Sequence, residues 1–345
     1  MTQFVQGLKK TAIATAILSF SAVASATIVT SVKPLGFIAS SIADGITDTE
    51  VLVPAGASPH DYSLKPSDVQ KLKSAEMVVW IGEDVDAFLD KSIDDLDYKK
   101  VLTIKDIAAI EPFLLKGEHH HHHHGEGEAH EDHDHAHEGH HHDHEKHEHK
   151  HEEQEHKHEH AGHEHHHDHD HEDLGVNWHV WYSPDISKSV AQRIAAKLIK
   201  QYPEKKEQIE KNVAEFNRTL DEQGAKIKTQ LESVKDKGFY VFHDAYGYFN
   251  QAYGLNQTGY FTINPLVAPG AKTLAKIKEE IAEHKVNCLF AEPQFTPKVI
   301  ESLSKGTQVN VGRLDPMGDA VKLGVNSYAA FLQFTADSYA QCLAK

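Results

Sequence analysis

The chain has 345 residues, with 35 Lys plus Arg against 52 Asp plus Glu, 30 His and only 2 Cys, for a formal net charge of -17. That length suits two domains, and the acidity argues against a nucleic-acid partner. The charge is concentrated in Glu118–Asp173, 56 residues holding 19 acidic groups against 3 Lys, a net of -16, so the rest of the chain is close to neutral.

The first 26 residues read as an export signal. Lys9 and Lys10 form a positive end, an apolar run follows from Thr11 to Val23, and Ala24-Ser25-Ala26 is a small-x-small site, so cleavage is expected after Ala26. A membrane anchor is the competing reading, but a span needs ~20 continuous apolar residues and this run is shorter. No Cys follows the site for a lipid anchor, so the mature chain is expected to be exported and soluble.

From Thr27 short apolar runs alternate with helical patterns, the signature of βαβ units. Strands are predicted at Thr27–Lys33, Glu50–Pro54, Met77–Ile81 and Val101–Ile104, with helices at Leu35–Ala43, Pro66–Ala75 and Val85–Ile93. The theme repeats with strands at Phe239–Phe242, Thr258–Phe261, Cys288–Ala291 and Gln308–Val311 and helices at Ala271–Glu283, Pro297–Ser304 and Ser327–Leu343. Between the two sets, Ile209, Val213, Phe216, Leu220, Ile227, Leu231 and Val234 recur at helical spacing, predicting one long amphipathic helix over Pro203–Val234. A solitary coiled-coil arm is the alternative. The predicted fold is α/β: a lobe over 27–202, a stiff helical connection over 203–237 and a second lobe over 238–345, each with a mostly parallel sheet.

The first lobe is interrupted by the acidic tract. It holds 26 of the 30 His and no Val, Ile, Leu, Met, Phe, Tyr, Trp or Cys, so it cannot build a core and is expected to be disordered. His119 to His124 resemble a purification tag, yet the same chemistry continues for about fifty residues inside the chain. Imidazoles alternating with carboxylates offer borderline-soft ligands for Zn, Cu, Ni or Co, and several loosely held ions are expected at His119, His120, His121, His133, His135, His140, His141, His142, His165, His166 and His167. A merely solvating acidic linker would not need His at every second or third place. Capacity should fall as pH drops through ~6.5.

Outside the tract only His60, His179, His243 and His284 remain. The first three fall at loops or near the C-terminal ends of predicted strands, where ligand sites of open parallel sheets collect. Taken singly, each reads more readily as a hydrogen-bonded structural histidine, and His284, in EEIAEHKVN, reads as surface. Cys288 and Cys342 in an exported chain read most simply as a disulfide, worth roughly 4 kcal/mol in the chain-entropy model, the alternative being two buried thiols.

The segments KPLGFIASSIADG (Lys33–Gly45), GASPHDYSLKPSD, NWHVWYSP, FYVFHDAYGYF, LFAEPQFTP and GRLDPMG, in this order, resemble the zinc-specific branch of the metal-binding solute-binding proteins. The resemblance covers essentially the whole mature chain, and a His-rich loop at this place is itself a feature of that branch. It implies two α/β lobes bridged by a rigid helix, a periplasmic location, one Zn2+ carried in the cleft, and delivery to the permease and ATPase of an ABC importer. It also implies that His60, His179 and His243 are the ligands, and it supports the Cys288–Cys342 pairing. In manganese-type relatives the third position is a carboxylate and an aspartate gives a fourth ligand. Here the third is His243, which favours zinc over oxygen-preferring manganese. The fourth-ligand position falls on Asp315, with water the alternative, while Pro59 removes an acid just before the first ligand. Trp178 and Trp181 are expected to shield the site. A carrier of this kind is expected to be a monomer. A manganese or other divalent-metal carrier, a zinc-dependent adhesin, and a hydrolase using Glu292 or Asp244 as base are the competing readings; His60, His179 and His243 form no HExxH or HxH pair, which argues against the last.

Overall fold

The computed structural model describes residues 27–116 and 175–345, apart from Ile263, His284, Thr296, Pro297 and Gly306. The predicted signal at 1–26, the His-rich tract and the reading of His284 lie outside them. Residues 27–115 and 177–345 belong to one compact unit.

The first sheet holds β1 (Thr27–Thr30), β2 (Asp48–Val51), β3 (Met77–Trp80) and β4 (Val101–Thr103), connected through α1 (Lys33–Ile42), α2 (Pro66–Ser74) and the short α3 (Glu83–Asp86) and α4 (Asp90–Asp94). The strand order is β2-β1-β3-β4, all parallel. Runs such as Met77-Val78-Val79-Trp80 are apolar at every position because helices cover both faces of a parallel sheet. The edge strand β2 alternates more and less exposed residues instead.

Next come α5 (Pro184–Gln201) and α6 (Lys206–Leu231), then β5 (Phe239–His243), α7 (Gly247–Tyr253), β6 (Gln257–Thr262), α8 (Ala271–Ala282), β7 (Cys288–Ala291), α9 (Lys298–Ser304), β8 (Asn310–Arg313) and α10 (Ser327–Leu343). The second sheet runs β6-β5-β7-β8, again parallel, so both lobes place their first strand inside the sheet and extend from it in two directions. Such an order opens a crevice at the carboxyl ends of the inner strands.

Three predicted features change. The single helix expected over Val85–Ile93 breaks into α3, a 3₁₀ turn at Ala87–Leu89 and α4. Asp86 turns inward at that break, accepting hydrogen bonds from Ser31 Oγ (2.6 Å) and Ile81 N–H (2.8 Å). Helices α5 and α7 are absent from the predicted set, although α5 carries clear signals: Ser183 caps it by accepting from Ile186 N–H, Pro184 opens it, and Ile186, Val190, Ile194 and Leu198 recur every fourth residue. The long helix α6 ends at Leu231, and Val234 lies in the turn beyond, its N–H on the Leu231 carbonyl (3.0 Å).

At 26 residues α6 is about 39 Å long. It packs against α1, α5 and α10, which excludes a solitary arm. Asn212, buried in α6, donates to the carbonyls of Ile42 and Asp44 and so satisfies the end of α1. One continuous apolar core runs through both lobes. Its middle is a series of rings: Phe37 on Phe331 (5.3 Å between centroids), Phe331 on Tyr182 (5.0 Å), Tyr182 on Phe249 (5.7 Å) and Phe249 on Tyr339 (5.4 Å). Cys288 of β7 and Cys342 of α10 form a disulfide with Cα atoms 6.1 Å apart. No helix among the described residues is long and apolar enough to cross a membrane.

Candidate metal centre

The two inner strands of the second sheet deliver the centre's buried half. His243 is the last residue of β5, and Glu292 follows Ala291 at the end of the neighbouring β7. His60 comes from the irregular chain between β2 and α2, and His179 from the residue before a 3₁₀ turn, Val180–Tyr182, that leads into α5. The three imidazoles, separated by 119 and 64 residues in sequence, meet in space: Nε2 of His179 lies 3.4 Å from Nε2 of His60 and 3.3 Å from Nε2 of His243. Among the described residues these three form the group able to hold a metal ion.

Hydrogen bonding fixes which nitrogen is bare. The Asn177 amide donates to the Asp244 carbonyl (2.8 Å) and accepts from the His179 backbone N–H (3.0 Å), so its oxygen faces His179 Nδ1 at 2.8 Å and that nitrogen carries the proton. His243 Nδ1 likewise donates to Glu292, whose two oxygens lie at 2.7 and 2.8 Å, and Tyr246 OH donates to the same carboxylate at 3.1 Å. In the neutral form of both rings, Nε2 of His179 and of His243 point their lone pairs at each other, a place where a cation can sit. The spacing matches the edge of a tetrahedron with zinc–nitrogen bonds of about 2.0–2.1 Å, which is roughly 3.3–3.4 Å.

Burial, helped by the nearby His243, pushes the His60 imidazole down to about 4. Burial and then the charges of His243 and His60 hold His179 well below the ordinary histidine range. Both rings are thus neutral near pH 7 and ready to ligate. The cavity beside them measures about 10 Å³, the space of one water-sized sphere, which suits a single ion. Ser58, Pro59, Trp181, Glu292, Gln294, Phe295, Pro316 and Met317 complete its wall. Trp181 lies edge-on to His179 (5.2 Å), as expected of a shield, whereas Trp178 packs at the margin of the core and does not line the cavity.

Asp315, the residue at the fourth-ligand position, is buried beside the cavity. Its Oδ1 accepts from Gln294 Nε2 (3.0 Å) and Met317 N–H (3.0 Å), and its Oδ2 from Asp319 N–H (2.7 Å). The bracing residues Asn177 and Gln294 do not figure in the sequence reading, and Glu292 figures there only as a possible base. Glu292 and Gln294 adjoin a strand end, the one available signal; Asn177 stands two residues before His179 in NWH.

The family model described as "Zinc-uptake complex component A periplasmic" matches residues 28–342. The high-affinity zinc uptake system protein ZnuA of Haemophilus influenzae is 72% identical over 338 residues, covering 98% of this chain and 99% of that protein. Its namesake in Yersinia pestis is 40% identical over 338 residues, covering 97% and 98%. Among solved structures, the periplasmic zinc binding protein TroA from Treponema pallidum shares the fold, with a TM-score of 0.68 at 17% identity over 93% of this chain and 100% of that one.

Proposed function

The chain belongs to the family of periplasmic components of zinc-uptake complexes, and on that premise we propose that it binds one Zn2+ between His60, His179 and His243 and carries it to the permease of an ABC importer driven by an ATPase. The observation that carries the reading is the convergence of three imidazoles whose Nε2 atoms stand at the edge length of a zinc tetrahedron. An all-nitrogen set suits zinc and disfavours manganese. Zn2+ is the cargo, and the family is one of transport components, so the three-imidazole site is a carrier's and not an enzyme's.

Each ligand has a distinct part. His179 and His243 are held in one tautomer by Asn177 and Glu292, which removes the freedom that binding would otherwise have to freeze. Trp181 keeps water from one side, lowering the local dielectric and strengthening the metal–nitrogen contacts. The His-rich tract over 118–173 supplies further, weaker sites that gather cations or sense their excess. The mature chain begins after Ala26 and works as a monomer.

Competition between the full-length chain and a zinc chelator of known strength tests the reading. The first equivalent is expected to bind tightly, to resist manganese, and to weaken by about a hundredfold or more in His243→Ala. A first equivalent indifferent to that substitution would place the binding in the tract. Growth of cells whose chain lacks 118–173 separates the tract's roles: a defect confined to scarce zinc marks gathering, and over-accumulation in abundant zinc marks sensing.

A further inference from the structure

We propose that Gln294 determines metal selectivity by latching the Asp315 carboxylate away from the cation, which leaves the fourth position to a water molecule; this rests on the zinc reading above. A carboxylate only accepts hydrogen bonds, so the Gln294 amide must present its NH2 group to Asp315 Oδ1, as the 3.0 Å contact has it. Two backbone donors, Met317 N–H to Oδ1 and Asp319 N–H to Oδ2, hold the same carboxylate. Asp315 is therefore the keystone of the Leu314–Asp319 turn. That turn in turn fastens the loop carrying His60, since Asp319 Oδ2 accepts from Gly56 N–H (2.6 Å) and the Asp319 carbonyl accepts from Lys33 Nζ (2.8 Å). Swinging Asp315 onto the metal would release all three of its donors and loosen the seat of the first imidazole.

Two buried atoms of the cavity wall describe what takes its place. With its amide nitrogen engaged, Gln294 keeps Oε1 buried without a protein partner, and Trp181 Nε1 is buried and unpartnered as well. Both side chains line the same small cavity as the three imidazoles. One is an acceptor and the other a donor, the pair that a metal-bound water needs, because such a water donates protons and can still accept one hydrogen bond. Three imidazoles and water suit a four-coordinate zinc, whereas a carboxylate in the sphere would favour oxygen-preferring cations such as Mn2+.

The test uses the full-length chain with half an equivalent of Co2+, whose visible absorption reads coordination number and ligand set, together with Zn2+ and Mn2+ competition. Gln294→Met keeps the side-chain volume and removes the donor; Gln294→Ala is the second variant should the first fail to fold. Either is expected to weaken the cobalt band and to shift selectivity about tenfold toward Mn2+, and adding Asp315→Asn to it is expected to restore the wild-type spectrum and ratio. A Gln294 variant indistinguishable from wild type, or a change that persists when Asp315 is replaced, overturns the latch while leaving zinc carriage intact. A wild-type spectrum that survives His243→Ala unchanged overturns the cleft reading itself.

Discussion

Glu292 braces His243 as Asn177 braces His179, but with a full negative charge behind the imidazole instead of an amide dipole. Glu292→Gln keeps an acceptor for Nδ1–H and removes the charge, so zinc affinity at the first equivalent is expected to drop about 10- to 100-fold in chelator competition, with the protein still folded. An unchanged affinity would mean that packing alone orients the ring. In the first lobe the corresponding crevice, between the ends of β1 and β3, is filled by Asp86 on Ser31 and Ile81. Burial pushes that carboxyl from 3.8 up to about 6, against the lowering effect of its two hydrogen bonds. Between those values the folded chain holds the proton more firmly than the unfolded one. The stability from this group is complete below pH 4 and lost as pH rises through about 6, a decline of about 3 kcal/mol. Asp86→Asn has no such decline, and urea unfolding at pH 4 and pH 7 is expected to show the variant gaining on wild type at the higher pH; an equal gap at both would remove Asp86 as the cause. The three clustered histidines were legible because few histidines lie outside the tract and because their motifs resemble a known family. Asn177 and Gln294 were not, since each acts through an amide orientation that only the folded chain defines.

Among the elements, β5 carries the heaviest constraint, since it must end with His243 beside the crevice. It enters the sheet at Gly238, where an added Cβ would stand 2.0 Å from the Lys285 carbonyl oxygen. Backbone cannot yield there as a side chain can. Gly238→Ala is expected to destabilise the chain by about 2–3 kcal/mol and to weaken zinc binding as well, measured by thermal unfolding and chelator competition. The inner strands were readable from sequence because a run such as Phe239–His243, buried at every position, leaves few other readings. The edge strand β2, predicted at Glu50–Pro54, forms at Asp48–Val51; half exposed, it has no apolar run to fix its limits. The break between α3 and α4 was hidden because it depends on Asp86 reaching Ser31, 55 residues away, rather than on any local breaker.

At the scale of the molecule, the compact unit is closed where the tract leaves it. Asn177 N–H donates to the Leu115 carbonyl (2.9 Å), and Tyr248 OH accepts from Leu115 N–H (3.0 Å) and donates to the Asn177 carbonyl (2.7 Å). Excising 118–173 shortens the Lys116–Val176 connection from 61 residues to 5, and the loop-closure cost falls by about 2 kcal/mol. Without metal, the excised chain is expected to unfold at higher temperature, and with zinc to keep its first equivalent and lose the others. Loss of the first equivalent would show that the tract contributes to the tight site. The rings from Phe37 to Tyr339 join the two lobes in one core. Lobes fused through one core do not part without breaking it, so under the proposed function release is expected when a single ligand swings aside, not when a clamshell opens. His60 is placed to go first, on irregular chain tied by Gly56 to Asp319, while the other two imidazoles are braced from behind. On that function unloading is expected to run as a sequence, three nitrogens and then two, and a partner that pulls on the 54–66 segment is expected to empty the site with both sheets at rest.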